Sequence, residues 1–160
     1  QDCNIYYFEE PNTPTFYNNK YVKDNVKMPV SQGERIFGRW EYVNYFLGNS
    51  VQVIQPDIGN AGGITETKKL CDMAYVFDVG VQVHTCASHL LTPPSVQLEA
   101  CIPNFVIHEQ HMRSLNPANQ ELTTKVVLPK NGYLTVEDDI GLGIEWSEKA
   151  LASEEQIILK

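Results

Sequence analysis

Five β-prone runs recur along the first two thirds of the chain, and each ends at or near an ionisable residue. NIYYF leads to Glu9, VKMPVSQ to Glu34, VQVIQPD ends at Asp57, GVQVH at His84 and NFVIHE at Glu109. The intervals are 25, 23, 27 and 25 positions (9 to 34, 34 to 57, 57 to 84, 84 to 109). A repeat of about 25 residues is the size of one strand-and-helix unit, and eight such units make a small (β/α)8 barrel.

The segments between the runs read as helices. ITETKKLCDMAYVFD places Leu70, Met73, Ala74 and Phe77 at helical spacing, and GRWEYVNYFLG does the same with Trp40, Val43, Phe46 and Leu47 before Gly48. PPSVQLEAC opens with prolines suited to a first helical turn. Tyr17 to Asn25 carries the weakest helical pattern. Alternating strand and helix implies an α/β fold with a parallel sheet. An open doubly wound sheet gives a similar alternation but concentrates its chemistry at one switch point. A barrel aims every strand C-terminus at one mouth, which accounts better for an acid or base on each strand.

Length and charge narrow the class. A chain of 160 residues with 42% apolar and 20% charged residues is an ordinary globular composition, long enough for one domain with a sizeable core. A net charge of −8, with no basic run longer than Lys68-Lys69, excludes a phosphate-backbone partner. No apolar stretch approaches a membrane span, and no leader pattern is present. Cys3, Cys71, Cys86 and Cys101 lie far apart without a Cys-x-x-Cys pair. They read as reduced thiols of a cytoplasmic protein, packing mostly as small hydrophobes.

Glu9 and Glu10, alone before Pro11, read as a solvated turn. Gathered at one mouth, Glu9, Glu34, Asp57, His84 and Glu109 would instead form four carboxylates around an imidazole. Such crowding repels unless a cation sits among the acids. Two carboxylates from adjacent strands, Glu9 and Glu34, suit Mg²⁺, a hard ion that takes oxygen ligands. Asp57 and His84, on the next two strands, are placed to hydrogen-bond, the acid fixing the imidazole tautomer and raising its basicity.

FEEP, QGER, QPDIGNAGGITE, VHTC and IHEQ, in this order, resemble the enolase superfamily. Within it they are most similar to the mandelate racemase and muconate-lactonizing branch and its galactonate-type sugar-acid dehydratases. The resemblance covers roughly residues 5 to 110, and GLGIEW (141–146) matches as well. It implies the C-terminal part of a (β/α) barrel, about five units, over residues 1–112, followed by an irregular extension over 113–160. It implies Mg²⁺ and abstraction of the proton alpha to a substrate carboxylate. Residue by residue, Glu9 and Glu34 match metal ligands, His84 the base, Asp57 its partner, and Glu109 the acid that meets the substrate carboxylate. Glu10 matches a supporting group, and Arg35, His89, His108 and His111 are given no catalytic role.

Three features of the resembled family would lie before Gln1: a third metal ligand, a second acid or base, and a capping domain that chooses the substrate. The expected partners are therefore a small sugar acid, the remaining N-terminal part of the enzyme and a second copy in a homo-oligomer. The 160 residues alone are expected to be inactive and to associate through unpaired strand edges.

Other readings stay open. A racemase or epimerase could use the same site, and a truncated relative could serve as a non-catalytic binding module. DIGNAGGITE lacks the Lys-Ser/Thr of a phosphate-binding loop and reads as a tight strand-to-helix turn. Tyr6, Tyr7, Phe37 and Trp40 are expected to pack in the core or at its rim. After Gln110, β-like runs at 125–128 and 133–136 flank a turn at Asn131-Gly132, and Ser147 is a candidate cap for a short helix.

Overall fold

A computed structural model of the chain describes residues 3–153. These form two compact units. One comprises the residues up to His84 together with Leu98–Glu109, and the other comprises Thr85–Gln97 and the chain from Gln110 on.

The first unit is built on a four-stranded parallel sheet in the order β1 (Phe8–Glu9), β2 (Val30–Gln32), β3 (Val53–Ile54) and β4 (Gly80–Val81). The register runs Phe8 to Val30, Ser31 to Val53 and Ile54 to Val81. Beyond β4 the pairing continues as parallel bridges from Asp57 to His84 and from Val81 to Phe105. The fifth run is thus a single bridge rather than a ladder. Helices α1 (Phe16–Asn25), α2 (Arg39–Leu47) and α3 (Gly63–Val76) connect successive strands. This is the strand-helix alternation of a partial (β/α) barrel.

The core lies between the sheet and α2 and α3. Ile54, Val81 and Val83 from the strands pack in one cluster with Tyr42, Tyr45 and Phe46 of α2 and Leu70, Cys71 and Ala74 of α3. The apolar face expected for α2 is corrected here. Trp40 is 77% exposed and Leu47 71%, while Tyr42 and Tyr45 are buried beside Phe46. The buried set keeps i, i+3, i+4 spacing but is centred on tyrosines. Tyr42 can be fully buried because its hydroxyl donates to the Gly33 carbonyl at 2.9 Å. Trp40 instead lies under the Arg39 guanidinium, 5.1 Å from the ring centre. Tyr6 and Phe37 are also exposed, against the expected packing, and Tyr7 is half-buried.

The segment with the weakest helical pattern is a ten-residue helix, α1, entered at Thr15, whose side chain accepts from the Asn18 amide. Of the four free cysteines only Cys71 is fully buried, and Cys3 and Cys101 are exposed. The expectation of thiols packing as small hydrophobes therefore holds for Cys71 and not for those two. Among the described residues, no helix is long and apolar enough to cross a membrane.

In the second unit, His89 is fully buried. It is held at Nδ1 by Asn119 Oδ1 (3.0 Å) and at Nε2 by Thr123 Oγ1 (2.5 Å). The β-like runs form no ladder. They contribute a tight turn in which Lys130 and Tyr133 exchange backbone hydrogen bonds across Asn131 and Gly132, both at positive φ. Ser147 caps the helix Glu148–Ser153 through the Ala150 amide at 3.0 Å. The last residues of the helix expected there, 154–156, lie outside the described residues.

Candidate active site

The site residues sit at the C-terminal ends of the parallel strands, all in the first unit. Side chains two apart on a strand share a face. Tyr7 and Glu9, Gln32 and Glu34, Gln55 and Asp57, and Gln82 and His84 therefore form two polar tiers. Gln32, Gln55 and Gln82 are essentially inaccessible. Interior glutamines two positions before Glu34, Asp57 and His84 were not anticipated. The polar residue at i−2 on those three runs was the signal that would have found them.

His84 is the centre of the upper tier. Its Nδ1 lies 2.7 Å from Asp57 Oδ2, and its Nε2 lies 2.7 Å from Glu34 Oε2. Asp57 is 4% exposed and His84 9%. Asp57 is fixed by the loop that follows it. Oδ1 accepts from the Gly59 amide at 2.7 Å, and the Asp57 carbonyl accepts from Asn60 and Ala61. QPDIGNAGG is thus a strand-to-helix turn, and it also immobilises the acid that orients the ring.

Electrostatics follow from this packing. Burial pulls the His84 pKa down, but the Asp57 hydrogen bond and the charges of Glu109, Glu34 and Asp57 outweigh it, so the net shift is upward from the ordinary histidine value. Glu9 is pushed up by burial first and then by the charges of Glu109 and Glu34. Tyr7 is likewise raised, by burial and then by Glu9 and Glu109. Glu9, Glu34, Asp57, His84 and Glu109 therefore share one electrostatic neighbourhood.

Glu10 stands apart. It forms an ion pair with Arg35 and accepts from the Gly33 amide at 3.1 Å, tying the end of β1 to the turn after β2. His108 is turned away to Glu99, its Nδ1 2.7 Å from Glu99 Oε2. His89 and His111 belong to the second unit. Among the described residues, no three His, Cys, Asp or Glu side chains converge as a metal site. Glu9 and Glu34 offer two oxygen-bearing groups from neighbouring strands, and the neighbouring charges of Glu109 and Glu34, which add to burial in raising the Glu9 pKa, are the kind a dication offsets. In donor chemistry the pair fits Mg²⁺.

Comparison with known proteins agrees with this architecture. Residues 1–150 match the family model described as Enolase C-terminal domain-like. A D-xylonate dehydratase of Haloferax volcanii is 28% identical over 90% of the chain. A D-galactonate dehydratase of Xanthomonas axonopodis pv. citri is 30% identical over 79% of it. The chain spans 35% of the length of each of these curated relatives. Among solved structures, a member of the enolase superfamily from Salmonella Typhimurium superposes with a TM-score of 0.94 at 43% identity, over 98% of this chain and 40% of that one. A mandelate racemase/muconate lactonizing enzyme from Sulfitobacter sp. superposes with a TM-score of 0.84 at 28% identity, over 91% and 36%. With its strand-end acids, its parallel sheet and its matched span in accord, the chain belongs to the Enolase C-terminal domain-like family of the enolase superfamily.

Proposed function

We propose that a protein containing this chain is a Mg²⁺-dependent sugar-acid dehydratase, with His84 as the base that takes the proton alpha to the substrate carboxylate. The observation that carries the reading is the Asp57–His84 pair, 2.7 Å apart and buried at the strand ends among Glu9, Glu34 and Glu109. The names of the xylonate and galactonate dehydratase relatives support the substrate class. The free cysteines suit a cytoplasmic enzyme.

The side chains divide the work. Asp57, itself held by the Gly59 amide, accepts a hydrogen bond from Nδ1–H and leaves Nε2 as the working nitrogen. Glu34 Oε2 accepts from Nε2 while the ring carries a proton on both nitrogens. Nε2 can take an α-proton once it has passed that proton to solvent and Glu34 has turned its oxygens elsewhere. Glu9 and Glu34 would hold Mg²⁺, which when bound supplies positive charge opposite the carboxylate on which negative charge develops. Glu109, on the fifth run, hydrogen-bonds that carboxylate. Loss of the α-proton and then of the β-hydroxide yields an enol that tautomerises to a 2-oxo-3-deoxy acid. The group that protonates the departing hydroxide belongs, in this reading, to strands before β1. The remaining barrel strands and a second copy of the chain are its expected partners.

The test is an assay of the full-length protein with Mg²⁺ against a panel of sugar acids, following 2-oxo acid formation. Product from at least one of them is the expected result, and none from any would overturn the reading. Separately, Glu9→Gln and Glu34→Gln are each expected to weaken Mg²⁺ binding by about tenfold or more, since each replaces an anionic ligand with a neutral one. Calorimetric titration measures this directly, and unchanged affinity in both variants returns Glu9 and Glu34 to a solvated rim.

A further inference from the structure

The lower tier holds a hydrogen-bonded chain that the roles above leave unused. Tyr7 Oη donates to Gln82 Oε1, and Gln82 Nε2 donates to Glu109 Oε2 at 3.3 Å. The chain links the run that carries Glu9 to the run that carries Glu109, through a residue two positions before His84. Gln82 is 2% exposed, so its amide has no solvent to turn to.

We propose that Tyr7 and Gln82 are positioning residues that fix the Glu109 carboxylate for the substrate, Tyr7 acting through Gln82. The inference rests on the role given to Glu109 in the proposed dehydratase. Its physical basis is the one-way polarity of the chain. Glu109 Oε2 accepts from Gln82 Nε2, so the amide presents its NH₂ to Glu109. That leaves Oε1 facing Tyr7, which a phenol can satisfy by donating. The Tyr7 hydroxyl thereby locks the amide in the orientation that serves Glu109. Without it, Oε1 loses its donor in a site that water does not reach, and the amide is free to turn its oxygen toward the carboxylate. Phenylalanine at position 7 keeps the ring and removes only the lock.

The experiment is a double-mutant cycle in the full-length protein, with Tyr7→Phe, Gln82→Met and the pair together. Each single variant is expected to lower kcat about tenfold with a smaller change in KM, because a misplaced group costs most where geometry is most demanding. In the Gln82→Met background, Tyr7→Phe is expected to cost less than about twofold more, since its effect passes through the missing amide. Additive losses, or full activity in Tyr7→Phe, overturn the proposal.

A second measurement does not depend on the reaction. Crystal structures of the native and Tyr7→Phe proteins are expected to show the Glu109 carboxylate ordered in the first and displaced or split in the second. An unmoved Glu109 overturns the positioning role even where dehydratase activity is present. A displaced Glu109 in a protein that dehydrates no sugar acid supports the positioning role and removes the proposed reaction instead.

Discussion

In a full-length protein containing this chain, His84→Asn is expected to lower exchange of the substrate α-proton with solvent by about 10²–10⁴-fold, the usual contribution of a positioned base. The variant keeps a polar side chain of similar reach but has no nitrogen that can take a proton at neutral pH. Mg²⁺ affinity is expected to change little, because the carboxylates assigned to the cation are untouched. Asp57→Asn should be milder. The amide can still meet the ring, but it no longer favours the Nδ1–H tautomer, and its hydrogen bond at 2.7 Å loses its charge. Incubation in D₂O with substrate, read by NMR at the α-carbon, distinguishes these outcomes. Exchange at the native rate in His84→Asn would move the base to another strand and leave His84 a structural role.

That prediction combines what the chain announces with what only folding reveals. The pairing of Asp57 with His84 was legible because two strands in parallel register bring equivalent positions together, and a 27-residue interval is one unit of the repeat. Glu34 as the partner of Nε2 was not legible. Nothing in a repeat of acids says which carboxylate leans toward the ring and which faces away. Glu9 and Glu10 illustrate the same limit. They are adjacent and chemically alike, and only the Arg35 ion pair and the Gly33 amide set Glu10 apart.

The fold shows a similar division. Periodicity located α2 and α3, because helices bury a stripe whatever their neighbours are. It misjudged the stripe of α2, because hydropathy ranks Trp40 and Leu47 above Tyr42 and Tyr45. A tyrosine with a partner for its hydroxyl is as buriable as a phenylalanine, and the carbonyl of Gly33 supplies that partner from another element. The fifth run was expected as a strand because its residues are β-prone. The structure gives it one bridge, from Val81 to Phe105, at an edge with no described strand beyond it.

Gly33 joins these threads, and its substitution is expected to have the largest effect on stability. It lies between Gln32 of the lower tier and Glu34 of the upper one. A Cβ at this position would sit 2.5 Å from the Gln55 amide nitrogen, 2.6 Å from the Gln55 carbonyl carbon and 2.5 Å from the Tyr42 hydroxyl. Two of these are backbone atoms of the next strand, which cannot rotate out of the way. Gln55 N is also bonded to Gln32 O at 3.1 Å, so the strands cannot separate without breaking their own pairing. Gly33→Ala therefore carries an overpacking cost of about 1–3 kcal/mol. Displacing the Tyr42 hydroxyl from its carbonyl adds roughly 1 kcal/mol. A loss on the order of 3 kcal/mol should appear as a clear fall in the denaturation midpoint of the full-length protein with little change in slope. Glu34 is the next residue and must follow any shift of the backbone, so Mg²⁺ affinity is expected to fall in the same variant under native conditions. Gly63→Ala is the control. It has nothing within 4 Å of its Cβ and only a positive φ to pay for, so it should cost about 1 kcal/mol and leave Mg²⁺ affinity unchanged. If Gly33→Ala unfolds at the native midpoint, the close approach of β2 and β3 is not what holds Glu34 in place.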